Sequence, residues 1–314
     1  MAIWGGTWPS AKVVSGIAAP EVAVFWRFLV TTAGFLPLVL FSRSSLRMPR
    51  RTLLLTAAAA LAVVLYNLAF FAGLRRGFAG AGGVLVPTLT PLITFLLTLP
   101  ARRRAVKRRE AIGLALGLAG GIVILQVWRL DARDILASGN LFFLLCAALW
   151  SAVTILSQKA QERADFIGFS FVMYAGSTLV ALPFALPFGI ASVFPAGPRF
   201  WLNLAYLALL GTAFATTVYF LASSRLGSNR TSSFLFIIPT AALLLSWALL
   251  GEAPSVPTIA GGACAIAAVY LVNRRAGEGS GEAAAGGAAA GGAVPKASTS
   301  PRRKGCRPQG PARC

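Results

Sequence analysis

Histidine is absent from this 314-residue chain, and only 9 aspartates and glutamates stand against 29 lysines and arginines. Without imidazole there is no serine triad of the usual kind, no His-bound metal and no His proton relay. The converging carboxylates or metal ligands that a membrane-embedded lipid-modifying enzyme needs are missing too. Cysteine is scarce: Cys146 and Cys264 lie inside apolar runs and Cys306 and Cys314 fall in the last nine residues, with no CxxC spacing and no disulfide framework. Pro311-Ala312-Arg313-Cys314 misses the prenylation pattern, which places its Cys fourth from the end. These absences argue against an enzyme, and neither a cofactor nor a metal is expected.

Charge is also sparse. Lys, Arg, Asp and Glu make up 12% of the residues, about half of the roughly 25% found in soluble proteins. Apolar residues make up 57%, and the mean hydropathy is +0.74. One soluble core could not hide that much apolar surface, and the charges cluster with uncharged runs of membrane-span length between them. A net charge of +20 on a folded soluble face would suggest nucleic acid. Here the basic residues sit in short segments beside apolar stretches, where cations are retained on the cytoplasmic side against anionic head groups. The expected partners are the lipid bilayer and a small-molecule substrate, not nucleic acid, and a homodimer is left open.

Uncharged apolar windows fall at about 1–17, 22–41, 52–73, 79–100, 110–128, 139–158, 167–188, 199–222, 230–250 and 255–272. Runs of this length without period-2 alternation favour helices over a barrel. With the N-terminus inside, the even-numbered connections carry 14 Lys and Arg and the odd-numbered ones 5, Arg75 and Arg76 being the visible exceptions. The positive-inside rule then places both termini in the cytoplasm of a multi-pass protein of the plasma membrane. The first window opens almost at Met1, so either that helix is short or the natural start lies upstream. It does not read as a cleavable signal, since the basic leader is missing and Lys12 interrupts it. Residues 274–314 are rich in Gly, Ala, Ser and Pro and carry 8 Lys and Arg, the composition of a disordered cytoplasmic tail.

The chain also resembles itself. Trp4 has a counterpart at Trp150, and Leu74, Pro87 and Thr88 match Leu226, Pro239 and Thr240 at an offset of 152, with Tyr66 and Tyr219 one residue out of step. Gly113 and Gly261 each open a Gly/Ala-rich span that closes its half. The expected fold is an all-α membrane protein of ten transmembrane helices, built as two five-helix repeats over 1–128 and 139–272. An odd number of spans per repeat inverts one half relative to the other and puts a substrate site near the midplane between them.

Trp4-Gly5-Gly6, Lys12 eight residues after the Trp, Pro20 followed by Phe25-Trp26-Arg27-Phe28, and Leu249-Leu250-Gly251-Glu252 with Gly261-Gly262 together resemble the EamA (RhaT-like) transporters of the drug/metabolite transporter superfamily. The resemblance covers residues 1–273. It departs at the end of the first half, where the basic run Arg102 to Arg109 replaces an acidic residue matching Glu252. It implies a carrier of small metabolites such as amino acids, working by alternating access and more readily as an exporter. A flippase for lipid-linked substrates belongs to the same superfamily.

Lys12 and Arg27 are the ionisable groups well inside windows, where a charge is a functional hypothesis by default. Lys12 shares a helical stripe with Trp4 and Trp8 and has two readings: a cavity cation facing substrate, or a side chain snorkelling to the head groups. Arg27 has two readings as well, as a carboxylate ligand or as a structural partner of backbone carbonyls. Tyr66, Phe70, Phe71, Trp150, Tyr219, Phe220 and Phe236 fall in spans that line the pathway of the transporters this chain resembles. Pro9, Pro87, Pro91 and Pro239 are kinks or gates. Glu110 and Glu252 lie at helix ends and no carboxylate lies deep in a window, which predicts facilitated diffusion or exchange, not proton antiport.

Overall fold

The computed structural model describes residues 2–42, 44–98, 108–125, 128, 139–216, 218 and 237–273, and no strand occurs among them. The helices are α1 (Ala2–Ile17), α2 (Pro20–Ser42), α3 (Arg50–Arg76), α4 (Ala79–Thr98), α5 (Arg108–Leu125), α6 (Gly139–Gln161), α7 (Phe166–Ala185), α8 (Gly197–Ala205, continuing in π geometry over Tyr206–Phe214), α9 (Ile237–Leu250) and α10 (Val256–Asn273). They fall on the windows of low charge. Four stretches, Pro20–Ser42, Arg50–Arg76, Gly139–Gln161 and Phe166–Phe188, are long and apolar enough to cross a membrane, and shorter apolar helices accompany them. The tail from Arg275 onward lies outside the described residues.

Local chemistry sets the boundaries. Pro20 opens α2, where its missing N–H costs nothing and where it keeps the preceding residue out of helix. Asp165 caps α7, its carboxylate accepting from the Gly168 N–H at 3.0 Å. After α9 the chain turns at Gly251, whose φ of +70° is the left-handed conformation that glycine adopts without strain.

Apolar side chains cover the outside of the bundle as well as filling its core. Phe28, Phe71, Leu74 and Phe143 are fully buried, while Phe41 is 89% exposed, Leu179 71% and Leu202 70%. A surface this apolar suits hydrocarbon and would aggregate in water. Inside, small residues let helices approach: a Cβ on Gly5 would overlap that of Ala241, and one on Gly83 that of Ala242, so α1 and α4 both press onto α9. α5 packs on α10, α3 on α6, α2 on α7 and α4 on α6, the remainder of the bundle being held by α1 and α9.

Candidate functional site

A cavity of about 150 Å³ lies within the bundle, and among the described residues of its lining Arg27 is the only ionised group. α1 contributes Trp4, Thr7 and Trp8; α2 Arg27 and Phe28; α3 Val63, Tyr66, Asn67 and Phe70. Pro87 and Thr90 of α4, Trp150 of α6, Tyr174 of α7 and Gly211, Thr212 and Thr216 of α8 and its continuation complete most of the wall.

Arg27 is held by neutral partners. Its Nη1 donates to Asn67 Oδ1 at 2.9 Å and its Nη2 to Thr212 Oγ1 at 3.3 Å, and its Cζ lies 5.8 Å from the centre of the Phe70 ring. Each partner is itself oriented by the backbone. Asn67 Nδ2 donates to Val63 O at 2.8 Å, which turns Oδ1 toward the guanidinium, and the Thr212 hydroxyl donates to Leu207 O at 2.9 Å, leaving its lone pairs for Nη2. The second of these reaches back five residues, the spacing of the π segment, a geometry found often at functional sites. Trp4 Nε1 donates to Gly211 O in the same segment at 2.7 Å. A Cβ on Gly211 would come within 2.6 Å of Thr7 Cγ2, so this close approach of α1 to α8 needs glycine.

The aromatic side of the wall is continuous. Tyr66 stacks on Phe70 at 5.9 Å and tilts against Trp150 at 4.9 Å, and Trp8 meets Phe70 edge-on at 4.9 Å and Phe143 at 5.7 Å. Such pairs fix each ring by its neighbours and give the cavity a rigid apolar face.

Seven of the residues singled out from the sequence, Trp4, Trp8, Arg27, Tyr66, Phe70, Pro87 and Trp150, thus meet around one cavity. Lys12, expected on the Trp4–Trp8 stripe, leaves that wall: its Nζ donates to Leu74 O at 2.5 Å and Gly77 O at 2.6 Å, the carbonyls that close α3. Glu252 Oε2 accepts from the Ala79 N–H at 2.8 Å and the Gly80 N–H at 3.4 Å, at the start of α4. Phe71 is packed into the core beside Phe70 at 5.4 Å. Trp26 turns away from Arg27's partners, donating from Nε1 to Ile190 O at 2.9 Å and meeting Trp201 at 5.2 Å. Pro9 sits within an unbroken α1, Pro87 lines the cavity, and Pro239 falls in the first turn of α9, where proline is tolerated. Tyr219, Phe220, Phe236 and the side chains of Pro91 and Glu110 lie outside the described residues.

Sequence reasoning passed over Asn67, Tyr174, Thr212 and Gly211. An amide in the third apolar window was a usable signal for Asn67, since polar groups in such windows are costly unless partnered. Thr212 and Gly211 carried none, because threonine and glycine are ordinary in apolar helices.

Apolar helices enclosing a small cavity of aromatic and polar groups define a multi-pass membrane transporter. The chain belongs to the EamA-like transporter family, whose model matches residues 1–126 and 137–274. An uncharacterized transporter of Archaeoglobus fulgidus is 25% identical over 279 residues, 88% of this chain and 95% of its own. A protein named as a probable terminal-alkyne amino-acid exporter in Streptantibioticus cattleyicolor is 28% identical over 201 residues, 63% of this chain and 65% of its own. A chain of known crystal structure shares the fold, with a TM-score of 0.60 and 20% identity over 88% of this chain and 97% of its own.

Proposed function

We propose that this transporter exports small carboxylate-bearing metabolites, the class that includes amino acids, by alternating access between two inverted five-helix repeats of the plasma membrane. The observation that carries the reading is Arg27: a guanidinium at a cavity within the bundle, tethered by an amide and a hydroxyl and facing no acidic side chain among the described residues of the lining. A cation at that depth is costly unless an anion arrives to meet it. The relative named for amino-acid export supports the substrate class.

The helix contacts support the inverted duplication and the ten spans over 1–128 and 139–272. If α1 to α5 correspond to α6 to α10, then α1 on α9 repeats as α6 on α4, and α3 on α7 repeats as α8 on α2. The pairs α2–α7, α4–α9 and α5–α10 join counterparts to each other, as a two-fold axis in the membrane plane requires. The distribution of Lys and Arg supports cytoplasmic termini. Lys12 serves the α3 terminus, not substrate, since its ammonium is committed to two carbonyls that no helical N–H reaches.

The test is counterflow of a labelled amino-acid and metabolite panel in proteoliposomes, with and without a pH gradient. Saturable exchange of a carboxylate-bearing compound, insensitive to the gradient and lost in Arg27→Gln, is the expected result. Exchange of no compound removes the transport reading, and uphill transport driven by the gradient removes the uncoupled mechanism.

A further inference from the structure

The cavity's balance of charge, its unspent donors and its size together define which ionic form of a small acid it accepts. Among the described residues of the lining Arg27 is the one formal charge. The chain's nine acidic residues stand at positions 21, 110, 131, 134, 162, 165, 252, 278 and 282. None of them falls in the stretch 219–236, while Asp131, Asp134 and the Glu110 side chain lie outside the described residues. The nearest along the chain, Glu21, precedes Arg27 by six residues in α2 and is absent from the wall.

The hydrogen-bonding groups point the same way. A guanidinium has five N–H donors, of which Asn67 and Thr212 take one each. The Tyr66 and Tyr174 hydroxyls and the Trp150 indole N–H line the cavity with no hydrogen-bond partner among the described residues. Acceptors are mostly spent: Gly211 O on Trp4, Asn67 Oδ1 and Thr212 Oγ1 on Arg27. What remains for an incoming ammonium is neutral hydroxyl lone pairs and the faces of Tyr66, Phe70 and Trp150. A volume of about 150 Å³ matches a cavity that holds one benzene-sized body.

We propose that this cavity selects small monocarboxylates in their net-anionic form, with the carboxylate on the unspent N–H groups of Arg27 and a ring-sized apolar body against Trp8, Phe70 and Trp150, and rejects the α-ammonium of the corresponding zwitterion. The proposal rests on the transport reading above and narrows its substrate class to acids without an α-ammonium, which sets zwitterionic amino acids outside it. A bound monoanion leaves the occupied cavity close to neutral. A zwitterion leaves it cationic and buries an ammonium near Arg27 without an anion, a desolvation that a cation–π contact only partly offsets.

Three compounds with one body test it: phenylacetate, phenylglycine and benzylamine, titrated calorimetrically into the full-length purified protein in detergent at neutral pH. Phenylacetate should bind at least about tenfold tighter than phenylglycine, with benzylamine showing no binding. Asn67→Asp, which sets a fixed carboxylate against Arg27 at nearly unchanged volume, should weaken phenylacetate by about tenfold or more and erase the preference. Arg27→Gln should do the same, and Asn67→Asp keeps the test open if that variant fails to fold. Phenylglycine binding as tightly as phenylacetate, binding by none of the three, or an unchanged preference in Asn67→Asp would overturn the proposal. The transport reading falls separately, on a counterflow panel in which nothing exchanges.

Discussion

Two partly buried cations of this bundle, Lys12 at the α3–α4 turn and Arg27 at the cavity, have opposite surroundings. Lys12 ends on Leu74 O and Gly77 O, where the negative end of the α3 dipole and the last free carbonyls absorb its charge, and Glu252 meets the positive end of α4 two residues further on. The turn is a closed electrostatic unit with its charges answered by backbone. Arg27 instead holds two neutral side chains at the cavity wall, and no carboxylate meets it among the described residues. A charge inside a membrane bundle therefore does not declare its role by depth. Partners separate the two: Lys12 is spent on the end of a helix, and Arg27 is held by neutral groups at a cavity wall.

The widest separation between the two regions should come from Arg27→Gln. It should lower exchange by about a hundredfold, an effect of about 2.7 kcal/mol on transition-state or substrate binding, while the melting temperature of the detergent-purified protein changes little. Lys12→Ala should show the reverse, a loss of about 1–3 kcal/mol of stability from two unsatisfied carbonyls, read as a lower melting temperature, with KM for exchange retained by the folded fraction. A raised KM in Lys12→Ala at unchanged stability would erase the distinction drawn here. Trp4→Phe deletes the donor to Gly211 O but keeps most of the ring, and about 1 kcal/mol of stability should go with it, together with a modest rise in KM because the π segment that positions Thr212 loses its tie to α1. The smallest effect should be that of Glu252→Gln, about 0.5–1 kcal/mol in thermal unfolding, since the amide oxygen still accepts from α4 while the charge–dipole attraction is lost.

Much of the bundle was legible from the order of residues. Long uncharged windows announce helices because backbone groups in hydrocarbon have no other partners, and the observed α1 to α7 follow those windows closely. Glycine in Trp4-Gly5-Gly6 could be flagged as a motif, but its reason, contact with Ala241 on α9 and with the Tyr206 hydroxyl, joins residues two hundred or more positions apart. Helical spacing put Trp4, Trp8 and Lys12 on one stripe. It could not show that the long lysine side chain reaches sideways to the end of α3 while the two indoles turn inward.

Composition and periodicity by themselves determined that this chain is a helical membrane protein without imidazole, because hydropathy, charge count and residue type act locally and need no fold to be read. Tertiary structure alone decided which of two cations faces a cavity, that Asn67 and Thr212 aim one of them, and that a π-helical turn brings Gly211 to Trp4. Those facts depend on which carbonyls and side chains are left unpaired once helices distant in sequence have packed, and no single segment contains that information.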